Sequence, residues 1–172
     1  MNRIVIINQG QTELCRALSQ ELDHCLVLDD FHWSLEPSDI ICWLPADNSR
    51  VDLAVNDLVA LLDHSAAQPA KIIMKSIAGT ADDASDQQLT SWYGENAQQM
   101  VMDHLYAIKM IDELEYPYTV IRTLPLVEQP IDRSVMEEGQ QFSGKNSSLQ
   151  ITSQLMKKAI MTDEFQNQSV GI

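Results

Sequence analysis

Basic side chains are scarce in this sequence. Eleven Lys and Arg stand against twenty-five Asp and Glu in 172 residues, which gives a formal net charge of −14. Nucleic-acid phosphates are bound by clustered Lys and Arg, so we expect no nucleic-acid partner. An acidic membrane surface would repel the chain too, so we expect no membrane partner. The acidity is explained better by its contribution to solubility.

Long apolar runs are also absent. No stretch approaches the ~18 consecutive apolar residues of a membrane-spanning helix. The first apolar run, residues 4–7, is too short for the core of a signal peptide. We therefore expect a soluble, cytoplasmic protein. The length suits one domain over residues 1–172, and 45% hydrophobic residues are enough for a sizeable core.

Cysteine is limited to three widely spaced residues, Cys15, Cys25 and Cys42. There is no Cys-x-x-Cys pair and no Cys/His spacing typical of a metal site, and the four histidines are scattered singly. We expect reduced thiols in a reducing compartment, and no bound metal.

Hydrophobic patterning predicts strands that alternate with helices. The predicted strands cover residues 4–7, 26–28, 39–44, 71–74, 118–122 and 169–172. The predicted helices cover residues 12–22, 51–64, 96–115 and 152–161, and Thr12 is expected to cap the first of them. Residues 80–89 are expected to form an exposed loop, and residues 132–146 an irregular segment. This alternation implies parallel βαβ units with right-handed crossovers. The fold class is therefore α/β, a three-layer, doubly wound, Rossmann-like parallel sheet of five to six strands.

Four segments carry a resemblance to a known family. They are the strand start Asp39-Ile40-Ile41, the strand and turn KIIMKSIAG at 71–79, the segment LEYPYTVIRTLPL at 114–126, and a tail comprising 138–144 and 169–172. Together they resemble the NAD(P)H-binding, NmrA-like branch of the atypical short-chain dehydrogenase/reductase family. The resemblance implies NAD or NADP as cofactor and hydride transfer to a small carbonyl or quinone ligand.

The first turn departs from the family's pattern G-x-x-G-x-x-G. The three glycine positions are occupied here by Ile7, Gly10 and Glu13. The lost glycines serve the tight turn and the close packing of helix on strand. The Glu13 carboxylate suits the positive end of the helix dipole but opposes a pyrophosphate at the same place. We expect dinucleotide binding to be weak or absent.

The chain is also short between its second and third strands. About ten residues separate Leu28 from Asp39, where the family has a further strand and helix. We therefore expect a sheet that is reduced relative to the family. A missing strand would leave a bare sheet edge, which proteins normally cover or pair, and a homodimer is one way to do so.

Candidate cofactor contacts follow from the strand ends. Gly10, Gln11 and Thr12 form the turn that would face phosphate, although an ordinary turn with Thr12 as helix cap is the simpler explanation. Asp29 and Asp30 follow Gly10 by about twenty residues, where an acid holds a ribose hydroxyl in NAD-binding proteins, and a plain loop is the alternative.

Ser76 ends a central strand, where open α/β sheets bind ligands, so it is a candidate for both cofactor binding and catalysis. Turn formation is the simpler explanation for this serine. Arg122 ends the next strand, and we interpret it as the partner of a carboxylate rather than as a residue facing the cofactor crevice. Trp33 and Trp92 are expected in loops, where they could line a pocket or an interface.

The family's Tyr-x-x-x-Lys pair is absent. Its positions, implied by the resemblance, correspond to Met100 and His104. Tyr106 and Lys109 share a helix face and are the weak catalytic candidates, although their spacing differs from the family's. Two hypotheses follow: a weak NAD(P)H-dependent oxidoreductase, or a catalytically inactive pseudo-enzyme that acts as a regulatory or protein-interaction module.

Overall fold

The computed structural model describes all 172 residues. Its strands are β1 (Ile4–Gln9), β2 (Leu26–Leu28), β3 (Ile40–Pro45), β4 (Lys71–Ile77), β5 (Tyr118–Thr123), β6 (Leu126–Val127), β7 (Ser147–Ser148) and β8 (Gln168–Gly171). Its helices are α1 (Thr12–Glu21), α2 (Val51–Asp63), α3 (Asp86–Tyr93), α4 (Ala97–Glu113) and α5 (Leu149–Met161). None of these helices combines the length and the apolar character needed to cross a bilayer.

Six strands form one sheet in the order β2-β1-β3-β4-β5-β8, and every neighbouring pair is parallel. Helices α1 and α5 pack on one face, and α2 and α4 pack on the other. The predicted three-layer, doubly wound sheet is confirmed. Strands β6 and β7 form a separate parallel pair that the sequence did not reveal, because two residues are too few to show a period.

The central strands are apolar on both faces, which is why they read as continuous hydrophobic runs. Along β1, Ile4 and Ile6 enter the core under α1 and α5, whereas Val5 and Ile7 enter the core under α2 and α4. Because helices cover both faces of the sheet, its central strands are not expected to alternate between apolar and polar residues.

Two local predictions are wrong. Helix α3 starts at Asp86, inside the segment predicted to be a loop. The Ser85 side chain accepts a hydrogen bond from the backbone of Gln88, and the Gln88 side chain accepts one from the backbone of Ser85. This capping box starts a helix in a polar sequence. Thr12 is the first helical residue of α1 and not its cap, since Gln11 occupies the capping position.

Arg122 is fully buried and forms an ion pair with Asp83, also fully buried. The other oxygen of Asp83 accepts the backbone N–H of Gly79 at 2.6 Å, and Arg122 Nε donates to Ser169 Oγ at 3.0 Å. These contacts tie the turn after β4 to strands β5 and β8. The structural interpretation of Arg122 is confirmed.

The connection between β2 and β3 has no regular structure over residues 29–39. Phe31 and Leu35 are buried and pack in the core beneath α2, and Phe31 meets the Trp43 ring edge-on with centroids 5.6 Å apart. At this end of the sheet, β2 is therefore the only strand beyond β1. This agrees with the expected reduction in the number of strands.

Candidate functional site

The chain reverses its direction of winding at β1. Strand β2 lies on one side of β1 and strand β3 on the other, so the crevice between the carboxyl ends of β1 and β3 is the topological switch point. Open α/β sheets bind their ligands in this crevice. Here the two strand ends are held together beyond the sheet by a bridge between Gly10 and Pro45.

The turn after β1 satisfies its own backbone. The side-chain oxygen of Asn8 accepts the backbone N–H of Gln11 at 2.9 Å and that of Gly10 at 3.3 Å. Gly10 has φ of +116°, and a Cβ on it would lie 2.6 Å from the Cβ of Ala46. Gly10 is therefore needed for the close approach of the two strand ends. The amides that a phosphate would use at this turn are already bound to Asn8.

Side chains of the turn also close the crevice. Gln11 Nε2 donates to the Pro45 carbonyl at 3.0 Å and to Asp47 Oδ1 at 2.9 Å. Gln9 accepts the indole N–H of Trp43 at 2.8 Å and donates to the Asp29 carbonyl at 3.2 Å. These bonds join β1 to the residues following both of its neighbouring strands.

Thr12 and Glu13 are exposed in the first turn of α1. The Glu13 carboxylate is bound by Arg16 at 2.8 Å, one turn further along the helix. A hollow of about 320 Å³ lies beside this helix end, and Glu13 and Glu128 are its charged lining residues. Two carboxylates make this hollow unfavourable for a pyrophosphate.

Asp29 and Asp30 are both exposed at the end of β2. The Asp30 carboxylate accepts the backbone N–H of His32 at 2.8 Å and so closes a local turn. The Asp29 side chain has no hydrogen bond within the protein. Either carboxylate is reachable from solvent at the point where a ribose would approach.

Ser76 is paired with a histidine that the sequence did not single out. Its hydroxyl lies 3.0 Å from His104 Nδ1, and His104 Nε2 lies 3.0 Å from the Asp47 carbonyl. A carbonyl only accepts, so Nε2 carries the proton and Nδ1 accepts from Ser76. Burial lowers the pKa of His104 to about 4, which keeps the ring neutral at pH 7. Both Ser76 and His104 are fully buried.

Lys75 is fully buried and its ammonium contacts the Asp47 carboxylate. Since Asp47 also accepts from Gln11 and presents its carbonyl to His104, it links the turn after β1 to β4 and α4. Tyr93 lies nearby and donates its hydroxyl to the Thr123 carbonyl at 2.9 Å. Burial raises the pKa of Tyr93, so this hydroxyl stays protonated.

Tyr106 and Lys109 lie on the solvent side of α4. Tyr106 is 44% exposed, and Lys109 lies 3.8 Å from Glu113 on the same helix. His104 lies on the buried side of α4, facing Ser76. The structure therefore does not bring Tyr106 or Lys109 to the strand ends.

The two tryptophans expected in loops differ in their surroundings. Trp33 lines a cleft of about 600 Å³ between residues 31–35 and the second half of α2, together with His64 and Asp57. Trp92 lies in α3 and donates its indole N–H to the Gly144 carbonyl at 3.0 Å. The expectation of a pocket beside Trp33 agrees with this cleft, whereas Trp92 was wrongly expected in a loop.

No family model matches the sequence, and no curated protein matches it either. Solved structures do match. A short-chain dehydrogenase/reductase from Veillonella parvula DSM 2008 in complex with NADP aligns with a TM-score of 0.69 and 17% identity, over 99% of this chain and 93% of that one. The oxidoreductase ylbE from Lactococcus lactis aligns with a TM-score of 0.67 and 14% identity, over 98% and 89% of the two chains.

A Rossmann-fold NAD(P)-binding family protein from Shigella flexneri aligns with a TM-score of 0.67 and 14% identity, over 99% of this chain and 92% of that one. This chain has a Rossmann fold. At such low identities the likeness establishes the fold.

The residues at the switch point of this Rossmann fold do not fit a dinucleotide bound through its pyrophosphate. Asn8 occupies the turn amides, Gln11 bridges the crevice, and Glu13 lies in the helix end that would face the phosphates. The nearest buried cation, Lys75, is bound to Asp47. An anion would have to displace these bonds before it could bind.

Sequence reasoning missed three members of this site: Asp47, Lys75 and His104. A signal for His104 was present, because the resemblance noted in the sequence matches it to the lysine of a Tyr-x-x-x-Lys pair, four residues after Met100. Asp47 and Lys75 gave no signal, since one follows a strand in a polar loop and the other lies within a buried strand.

Proposed function

We propose that this chain is a catalytically inactive member of the NmrA-like branch of short-chain dehydrogenases/reductases, serving as a regulatory or protein-interaction module. One observation carries the proposal: Asn8 Oδ1 accepts the backbone N–H groups of Gly10 and Gln11. In this fold those amides bind pyrophosphate at the start of the first helix. A side chain built into the turn therefore takes the place of the cofactor's phosphate.

The electrostatics of the helix end support the same proposal. Glu13 and Glu128 line the adjacent hollow, and Glu13 already interacts with the positive end of the α1 dipole. A dinucleotide would bring further negative charge to a protein whose formal net charge is −14.

The test is thermal unfolding of the purified protein alone, with NADH, and with NADPH. A ligand at one hundred times its dissociation constant adds about 2.7 kcal/mol to the free energy of unfolding. In a domain of this size that raises the melting temperature by roughly 5–10 °C. We expect no rise with either cofactor at millimolar concentration. A rise of several degrees would contradict the proposal.

A second candidate is a weak NAD(P)H-dependent oxidoreductase acting on a small carbonyl or quinone. The pairing of Ser76 with His104 favours it, because a hydroxyl at the end of a central strand is placed where this fold binds its ligands. NADPH consumption in the presence of quinones, compared between the wild type and Ser76→Ala, tests it. Turnover that is lost in Ser76→Ala would favour this candidate over the first.

A further inference from the structure

The cleft beside Trp33 is separate from the switch point. It lies between residues 31–35, which pack on the α2 side of the sheet, and the second half of α2. Because α2 starts after the carboxyl end of β3 and leads to the start of β4, its second half lies toward the amino ends of the strands. A ligand in this cleft therefore does not compete with one in the crevice between β1 and β3.

The cleft has the size and the walls of a small-molecule site. Its volume of about 600 Å³ falls within the range of roughly 300–1,000 Å³ that is usual for ligand pockets. Phe31 and Leu35 line it and are buried in the core beneath α2. Trp33, Ala60 and Leu61 add further apolar surface. These side chains offer contacts for the apolar body of a ligand.

Both walls of the cleft are free of basic side chains. They come from residues 17–49 and 51–70, and neither stretch contains a Lys or an Arg. Asp57 is exposed and is the only carboxylate in the lining. The nearest basic residue in sequence, Arg50, is bound to Asp52 at 2.7 Å, so Asp57 has no cation as partner. This unpaired carboxylate favours a ligand that carries positive charge.

Arg3 does not reverse the charge of the cleft. Its guanidinium lies 5.5 Å from the centre of the Trp33 ring. It binds the Asp39 carboxylate at 2.7 Å and the Glu36 carboxylate at 2.8 Å, so two negative charges accompany its single positive charge. The surroundings of the cleft therefore remain negative, as does the protein as a whole.

His64 adds a hydrogen-bond acceptor to the α2 wall. Its Nδ1 lies 2.7 Å from the Ala60 carbonyl, which only accepts, so in the neutral ring Nδ1 carries the proton and Nε2 has a free lone pair. His64 follows Asp57 by two helical turns, which is about 10 Å along the helix axis. The other lining histidine, His32, is exposed, and its Nδ1 lies 3.5 Å from Asp30 Oδ2.

We propose that this cleft binds a small arylalkylamine, that is, a primary ammonium group attached to an aromatic ring that carries an N–H. The ammonium pairs with the Asp57 carboxylate, and the ring packs against Trp33 and Leu61. The N–H of the ring donates to His64 Nε2. No residue of the switch point takes part, so this binding does not depend on whether a cofactor binds there.

The test is an NMR titration of the ¹⁵N-labelled protein with three indoles of similar size. Tryptamine is a cation, tryptophol is neutral and indole-3-propionate is an anion. We expect tryptamine to shift the amide signals of residues 31–35 and 57–66 saturably, with a dissociation constant below about 1 mM. Because an exposed ion pair contributes at most about a fivefold gain in affinity, we expect tryptophol to bind about two- to fivefold more weakly. We expect no binding of indole-3-propionate.

Two variants separate the charge of the cleft from its shape. Asp57→Asn keeps the size of the side chain, and we expect it to weaken tryptamine about two- to fivefold and to leave tryptophol unchanged. Ala60→Leu fills part of the cleft, and we expect it to weaken both. Asp63→Asn is the matched control, because Asp63 is an exposed carboxylate of the same helix that does not line the cleft. It should leave both affinities unchanged at physiological salt.

Three results would overturn the proposal. The first is the absence of saturable shifts with tryptamine at millimolar concentration. The second is equally tight binding of tryptamine and indole-3-propionate. The third is an equal loss of affinity in Asp57→Asn and Asp63→Asn, which would mean that tryptamine responds only to the overall charge. Circular dichroism verifies that each variant is folded.

Discussion

The side-chain oxygen of Asn8 lies 2.9 Å from the backbone nitrogen of Gln11 and accepts its N–H. The bond spans three residues and closes the turn at the switch point of the sheet. Because the Gln11 side chain in turn reaches Pro45 and Asp47, the turn is locked to the neighbouring strand end. At the place where Rossmann folds bind a phosphate, the backbone N–H groups of this protein are bonded to its own Asn8 side chain.

Removal of both obstacles at the turn should create cofactor binding. Asn8→Ala frees the amides of Gly10 and Gln11, and Glu13→Gly removes the carboxylate at the helix end. We expect the double variant, unlike the wild type, to melt about 3 °C or more higher with millimolar NADPH than without it. Differential scanning fluorimetry with and without NADPH measures this.

Asn56→Ala, a change on the surface of α2, is the control for this pair of substitutions and should show no response to NADPH. If the double variant also shows none, the turn is not the obstacle. The short connection after Leu28 would then be the structural cause.

Gly10→Ala should destabilise the protein more than Gly139→Ala. Both glycines have positive φ, +116° and +83°, so both substitutions strain the backbone by about 1–2 kcal/mol. A Cβ at Gly10 also meets Ala46 at 2.6 Å, whereas a Cβ at Gly139 meets nothing within 4 Å. We expect the clash to add about 1–3 kcal/mol, measured by urea unfolding. Equal losses of unfolding free energy in the two variants would show that the ends of β1 and β3 can separate freely.

Arg122→Ala should be strongly destabilising. The substitution leaves the fully buried Asp83 without its partner, which typically costs about 3–5 kcal/mol in the free energy of unfolding. Arg16→Ala breaks the exposed pair with Glu13 and should cost less than about 1 kcal/mol. Urea unfolding of both variants and the wild type makes the comparison. A small loss in Arg122→Ala would mean that water reaches the Asp83 carboxylate in the variant.

His104 should make the protein less stable in mild acid. Burial lowers its pKa in the folded state to about 4, below the ordinary value of 6.5. Between these two values the unfolded chain binds a proton that the folded protein does not. The contribution of neutral His104 is therefore complete above pH 6.5 and declines as the pH falls toward 4. The full difference amounts to about 3 kcal/mol.

Urea unfolding of the wild type and of His104→Gln at pH 7.5 and pH 4.5 isolates this effect, because the two proteins differ only at residue 104. We expect the loss of stability between the two pH values to be about 2–3 kcal/mol smaller in His104→Gln. Identical losses would mean that His104 is protonated in the folded state or accessible to water.

The layered α/β fold could be predicted from the sequence because it depends on local pattern. Runs such as Ile4–Ile7 are apolar on both faces, and helical spacing follows each of them, which together specify parallel strands between helices. The capping box at Ser85 was equally local, but the polar character of the segment concealed the helix that it starts. The departure of the first turn from the glycine pattern of the family that the chain resembles was also evident in the sequence itself.

The contents of the site were decided by tertiary structure alone. Ser76 and His104 are 28 residues apart in sequence, as are Lys75 and Asp47, while Arg122 and Asp83 are 39 apart. No periodicity links such residues, because each contact joins a residue of a parallel strand to a helix or a connection that only the packed fold brings beside it. The sequence thus determined where a ligand would bind in this fold, and only the packed structure determined which side chains occupy that place.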